Sequence, residues 1–183
     1  MADKQGQFAV NVREWCEKAS SNADQVLRAV SIELLNRVVL RSPVGNPELW
    51  AANKERVEAR KREVAKYRLG GVTLGKDRLQ KLIPLRAGNG YTGGRFRGNW
   101  QVTLNAPAAG DLERIDPAGA ATIAEGVAAI VPAKFGATVY LVNNLPYALR
   151  LEYGWSTQAP AGVVRVTAAE FQSIVNDAAK GVQ

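Results

Sequence analysis

Apolar residues recur at helical spacing through the first 42 positions. Phe8, Val12, Trp15 and Ala19 form one stripe, and Ala23, Val26, Leu27, Val30, Leu34 and Val38 a second, the period of amphipathic helices. Between the stripes lies Ser20-Ser21-Asn22, a cluster suited to end one helix and cap the next, so the pattern predicts two N-terminal helices. Ser42-Pro43 closes the second, because proline donates no N–H and restricts the residue before it.

From Pro47 to about Arg68 the chain is rich in Glu, Lys, Arg and Ala, with only Leu49 or Trp50, Val57 and Val64 as an apolar stripe. These are good helix formers, but so thin a stripe suits a helix on the surface or projecting from it. The stretch from Gly70 to Gly98 holds eight glycines and reads as a long loop, of the kind that is functional or ordered on assembly.

Beyond Gly98 the period changes. Trp100, Val102 and Leu104 alternate as one side of a strand, and Thr138–Val142 is the most β-prone run in the chain. Between them Ala118 to Ile130 has a helical period, started after Asp116-Pro117. Asn143-Asn144-Leu145-Pro146 is a turn leading into a short helix over Tyr147–Tyr153, broken at Gly154, and a final helix runs from about Gly162 to Ala179. The expected fold is α+β in one domain over 1–183: two N-terminal helices, a small antiparallel sheet with helices packed on one face, a C-terminal helix, and a basic helix-loop insertion at 46–91.

With 46% apolar and 22% charged residues among 183, the chain can build a core of its own. It has a single cysteine, Cys16, and no histidine. Within one chain that excludes disulfide scaffolds, Cys/His zinc sites, a Ser-His-Asp triad and a Cys-His dyad. No apolar run approaches the ~18 residues of a membrane span, and MADKQGQF lacks the apolar stretch of a signal peptide, so synthesis and folding in a cytoplasm are expected. Cys16 itself reads as a small apolar helix residue.

The net charge of +7 is unevenly spread. Between Glu48 and Arg97 stand 13 basic residues against 5 acidic ones, while the remainder has 11 against 12. Two glycine motifs in this segment imitate nucleotide-binding loops. Gly70-Gly71-Val72-Thr73-Leu74-Gly75-Lys76 has phosphate-loop spacing, but Asp77 stands where a Ser or Thr would hold magnesium and no strand precedes it. Gly88-Asn89-Gly90-Tyr91-Thr92-Gly93 has dinucleotide-loop spacing without the strand before it or the helix after it. The basic segment then reads as a solvated helix and loop, as a nucleic-acid surface with Tyr67, Tyr91 and Phe96 interleaved, or as an assembly surface for acidic neighbours.

Glu152, set between Leu151 and Tyr153 in an apolar, aromatic stretch, is the acid expected to be shielded and paired with a cation, Arg95 or Arg97 being better placed in sequence than the adjacent Arg150. Its bland reading, a structural ion pair, outweighs a catalytic one.

Three phrases carry a resemblance. They are Ser42-Pro43-Val44-Gly45; Thr92-Gly93-Gly94-Arg95-Phe96-Arg97-Gly98-Asn99-Trp100; and Val139-Tyr140-Leu141-Val142-Asn143-Asn144-Leu145-Pro146-Tyr147-Ala148 with Leu151-Glu152-Tyr153-Gly154-Trp155 through Val164-Arg165. In this order the chain resembles the neck or tail-completion proteins of long-tailed bacteriophages. In that family the first phrase runs within a short distance into the second, whereas here Asn46 to Tyr91 separates them.

The resemblance implies a structural virion protein, not an enzyme, with no cofactor or metal. It would form a ring, six subunits being favoured, at the head-tail junction, closing the tail and joining it to the DNA-filled head. Its neighbours would be tail terminator or tail tube proteins and head-tail adaptor or portal proteins, with non-specific contact to phage DNA and none to a membrane. Arg95, Arg97, Trp100, Tyr147, Glu152, Tyr153 and Trp155 are the candidates for subunit contact or assembly. Trp100, Tyr147, Tyr153 and Trp155 suit a core edge equally well. Arg60, Lys61, Arg62, Lys66, Arg68, Lys76, Arg78, Lys81 and Arg86 are the candidates for meeting DNA or an acidic partner. A basic DNA-binding protein gripping phosphates with its glycine-rich segment is the alternative.

Overall fold

A computed structural model of the chain describes residues 2–45, 51–68, 70, 82 and 93–182. They divide into two compact units, one of 1–43 with 94–183 and one of 44–93. The first unit is α+β. It contains α1 (Ala2–Arg41), α3 (Arg95–Gly98), β1 (Gln101–Leu104), α4 (Ala120–Ile130), β2 (Val139–Val142), α5 (Ala148–Glu152), α6 (Val164–Ala169) and α7 (Phe171–Lys180). The described part of the second unit holds α2 (Ala51–Arg68).

The expected pair of N-terminal helices is one continuous helix of 40 residues. Ser20, Ser21 and Asn22 lie inside it, because each costs a helix interior only a fraction of a kcal/mol and none blocks the backbone as proline does. The chain leaves the helix only at Ser42-Pro43. The C-terminal half of α1 carries the load: Leu35, Val38 and Val39 join Phe96, Trp100, Ile130, Leu145, Ala159 and Val163 in the core. Its N-terminal half, 7–21, is exposed throughout.

β1 and β2 pair antiparallel with Val102 opposite Leu141 and Leu104 opposite Val139, and Val102, Val139 and Leu141 lean on the core. Helix α4 packs on α1 and β1, while α6 and α7 pack on α1. Asp116 caps α4 from outside it: its carboxylate accepts the N–H of Gly119 at 2.8 Å and of Thr122 at 2.9 Å, with the Thr122 hydroxyl at 2.8 Å. The helix therefore starts at Ala120, later than the Asp116-Pro117 signal implied.

The expected final helix is two, α6 and α7, parted at Glu170. There the backbone N–H bonds to Thr167 O, three residues back, at 3.2 Å. The Glu170 carboxylate is gripped by Arg41 at 2.8 Å on both oxygens and by Arg37, tying the junction to α1. A second stitch lies nearer the middle of α1, where Asp24 accepts from the Phe135 N–H at 2.7 Å and from Lys134 at 2.9 Å.

Within the region expected as loop, 95–98 forms the short helix α3. Helix α2 agrees with the expected basic helix from Ala51 onward; 46–50 lie outside the described residues. Of its side chains from 55 to 67, none is buried.

Candidate assembly surface

Glu152 closes a ten-residue loop. It ends α5, and its carboxylate accepts three consecutive backbone N–H groups at the start of α6, those of Val163 at 2.8 Å, Val164 at 2.9 Å and Arg165 at 2.8 Å. A carboxylate at a helix N-terminus satisfies amides that have no partner inside the helix and faces the positive end of the peptide dipoles. Burial pushes the Glu152 carboxyl up, but the N–H groups of Arg165, Val164 and Val163 and the Arg165 guanidinium outweigh it and hold it below the ordinary range. Arg165 also donates to the Glu152 carbonyl at 2.6 Å. Gly162 makes this approach possible: its φ is +84° and a Cβ there would stand 2.5 Å from both the carbonyl and carboxylate oxygens of Glu152.

The partner of Glu152 is thus Arg165, at 3.4 Å, and not Arg95 or Arg97. Arg95 pairs with Asp111 at 2.9 Å. Arg97 works inside the fold, donating to the carbonyls of Ser42 at 2.8 Å, Leu40 at 3.0 Å and Pro117 at 2.7 Å. The Leu40 and Ser42 carbonyls lie at and just beyond the C-terminal end of α1, where unpaired acceptors suit a cation, and the Pro117 carbonyl lies shortly before α4. The signal for Arg165 was present in the third phrase, but only the return of the loop shows that the two ends meet.

The four aromatic candidates separate in the same way. Trp100 is a core residue, 5% exposed, with its ring edge-on to Phe96. Tyr147 is at the boundary, 6.2 Å from Phe96 between ring centroids. Tyr153 and Trp155 stand out in solvent, 75% and 77% exposed, beside an equally open Leu149. Each of the two rings is covered on one face by an arginine, Arg165 at 5.3 Å over Tyr153 and Arg150 at 5.8 Å over Trp155. Leu149 and Arg150 of α5, Tyr153 and Trp155 of the locked loop and Arg165 of α6 together make an apolar and cationic patch, in which Tyr, Trp and Arg are the residue types enriched in interface hot spots.

On α2, Lys61 pairs with Glu58 at 2.9 Å and Lys66 with Glu63 at 3.6 Å, both within the helix. Arg60 and Arg62 lie on the same helix, as does the backbone of Arg68. Lys76, Arg78, Lys81 and Arg86 lie outside the described residues. Among the described residues no three His, Cys, Asp or Glu side chains are grouped to hold a metal ion, and no helix is long and apolar enough to cross a membrane.

No family model matches the chain, nor does any curated protein or solved structure.

Proposed function

We propose that the chain is a structural subunit of the neck of a long-tailed bacteriophage, forming a ring at the head-tail junction that closes the tail and joins it to the filled head. The observation that carries this reading is the Glu152-locked loop with its open Tyr153 and Trp155 and the open Leu149 of α5. Two arginine-backed aromatics open to solvent beside a loop pinned by Glu152 suit a subunit that must meet a neighbour at fixed geometry. The third phrase of the resemblance is the one that builds this loop.

Electron microscopy of assembled particles with the chain labelled tests the proposal. A ring between portal and tail tube is expected; a single copy per particle, or absence from the junction, overturns it. Six subunits match the favoured symmetry of a tail tube, and a closed ring requires head-to-tail contacts between unlike surfaces.

The second reading, a basic DNA-binding protein, draws on α2, whose described side chains are all at least partly open to solvent and include Arg60, Lys61, Arg62 and Lys66. Contact with several phosphates would lower log affinity with log salt at about −0.9 per phosphate for duplex DNA. Under the neck proposal binding by the purified protein is weak and indifferent to sequence. Tight sequence-specific binding favours the second reading instead.

A further inference from the structure

The N-terminal half of α1 is a helix that no described residue buries. Every side chain from 7 to 21 is exposed, and Phe8 and Trp15 are each 70% open. Phe8, Val12, Trp15 and Ala19 nevertheless share one side at spacings of four, three and four, the pattern of a seam that packs on other helices. Short isolated helices are marginal in water, so this arm has the form of an element that packs on something outside its own unit.

The same unit carries a matching cleft. An apolar groove of about 450 Å³ is lined by Leu34 and Val38 of α1, Val164 and Ala168 of α6, Phe171 of α7, and Trp100. Its α6–α7 residues stand at intervals of four and three, Val164, Ala168, Phe171, which is the interval of Phe8, Val12 and Trp15 on the arm. The arm's set spans about 10 Å along its one helix, while in the groove α6 supplies Val164 and Ala168 and α7 supplies Phe171. An amphipathic helix laid in a groove is anchored at such positions.

The arm cannot reach the groove of its own chain. Leu34 lies 19 residues beyond Trp15 on one unbroken helix, a separation of about 28 Å. An arm seated in this groove therefore comes from another copy.

We infer that the N-terminal arm of one subunit seats Phe8, Val12 and Trp15 in the Leu34–Val38–Ala168–Phe171 groove of the next. Arm and groove are unlike surfaces, so the contact is heterologous and propagates from copy to copy until a ring closes. Phe8 and Trp15 alone would bury on the order of 300 Å², a large part of the roughly 800 Å² per partner in a standard interface. The inference rests on the ring of the proposed function and supplies its contact.

The chain's own thiol offers the test. Cys16 follows Trp15 on the arm and is exposed, and it is the only cysteine. Ala168→Cys places a second thiol at an exposed groove position. A short bis-maleimide added to the purified full-length Ala168→Cys protein at high concentration should give a ladder of dimers, trimers and larger species, while wild type gives none. Val164→Cys is the alternative groove thiol if Ala168→Cys does not fold. Phe8→Ala with Trp15→Ala in the Ala168→Cys background should cut the ladder at least about tenfold at unchanged melting temperature, since both side chains are open in the single chain. Wild-type dimers joined through Cys16 would mean that arm packs on arm and overturn the inference, as would a folded groove variant that gives no ladder. A ladder in vitro without a ring in particles would sink the neck proposal and leave this contact standing; a ring in particles without a ladder would do the reverse.

Discussion

The indole N–H of Trp100 donates to the hydroxyl of Ser42 at 2.7 Å, and that hydroxyl donates in turn to the Val38 carbonyl at 2.6 Å. Both side chains are buried. The relay joins the end of α1 to the start of β1 across 58 positions, and the Arg97 guanidinium on the Ser42 carbonyl doubles it. Ser42-Pro43 is therefore more than a helix stop: its hydroxyl is the acceptor that permits a tryptophan in the core.

Ser42→Ala strands the Trp100 N–H away from water. An unmet buried donor costs about 1–3 kcal/mol, so the urea midpoint should fall and Trp100 fluorescence should shift. Unchanged stability would mean that the relay carries no weight.

Glu152→Ala removes one carboxylate from three amides at once. A loss of about 1–3 kcal/mol is expected, from hydrogen bonds to a charged group, and Glu152→Gln should recover part of it through its one remaining carbonyl acceptor. Equal denaturation curves for wild type and Glu152→Ala would refute the locking role.

Acid should unfold the domain by a predictable route. Asp116, Glu152, Glu170 and Asp24 are all held below their ordinary values of 3.8 for Asp and 4.5 for Glu. For Glu170 the cause is chiefly Arg41 and then Arg37; for Asp24 it is the Phe135 amide and then Lys134. At Asp116 burial pushes upward, and the bonds from Thr122, Gly119 and Ala121 outweigh it. A folded-state value below the unfolded one gives stability that is fully present above the unfolded value and is lost as pH falls through the folded one. Urea midpoints should be flat near neutrality and drop from about pH 4.5 downward, with a shallower drop in Glu152→Gln. A midpoint that rises on acidification would contradict this.

Gly94 sits at φ +114°, and a Cβ there would meet the Pro117 nitrogen at 2.5 Å and its Cα at 2.7 Å. Backbone cannot give way as a side-chain tip does, so Gly94→Ala should cost more than about 3 kcal/mol. Gly110, at φ +75° with nothing within 4 Å, is the control, where Ala should cost only about 1–2 kcal/mol of conformational strain. Similar losses at both positions would show that the approach to Pro117 is unimportant.

Replacing 46–91 with a short glycine linker should leave a folded protein. Every residue of the core cluster belongs to the unit of 1–43 with 94–183, and Gly93 lies directly against the Gly45 carbonyl, so the cut ends are already close. Near-ultraviolet circular dichroism should keep its native form; its collapse would place part of 46–91 in the core.

The strands, the α4 helix, the short helix before Gly154 and the basic α2 were legible because each depends on residues close in sequence: β-branched runs, helical period, a glycine stop. The same local evidence misled at Ser20-Ser21-Asn22 and at Glu170. Cap-forming residues favour a break without requiring one, and whether a helix continues depends on what the far side of it must reach. Asp24 and Arg41, both beyond that stretch on the same helix, are held by Phe135 and Glu170 from more than a hundred positions away. Partner choice was likewise beyond local reading. Glu152 was recognisable as a shielded acid from its apolar neighbours, but its cation, Arg165, and its three amides come from a loop that doubles back. Trp100, Tyr153 and Trp155 look alike in sequence and part company only through burial, since an aromatic ring serves a core or a contact with the same chemistry. The tertiary fold makes that decision, because hydrogen bonds and apolar contacts act through space while the pattern along the chain records only periodicity.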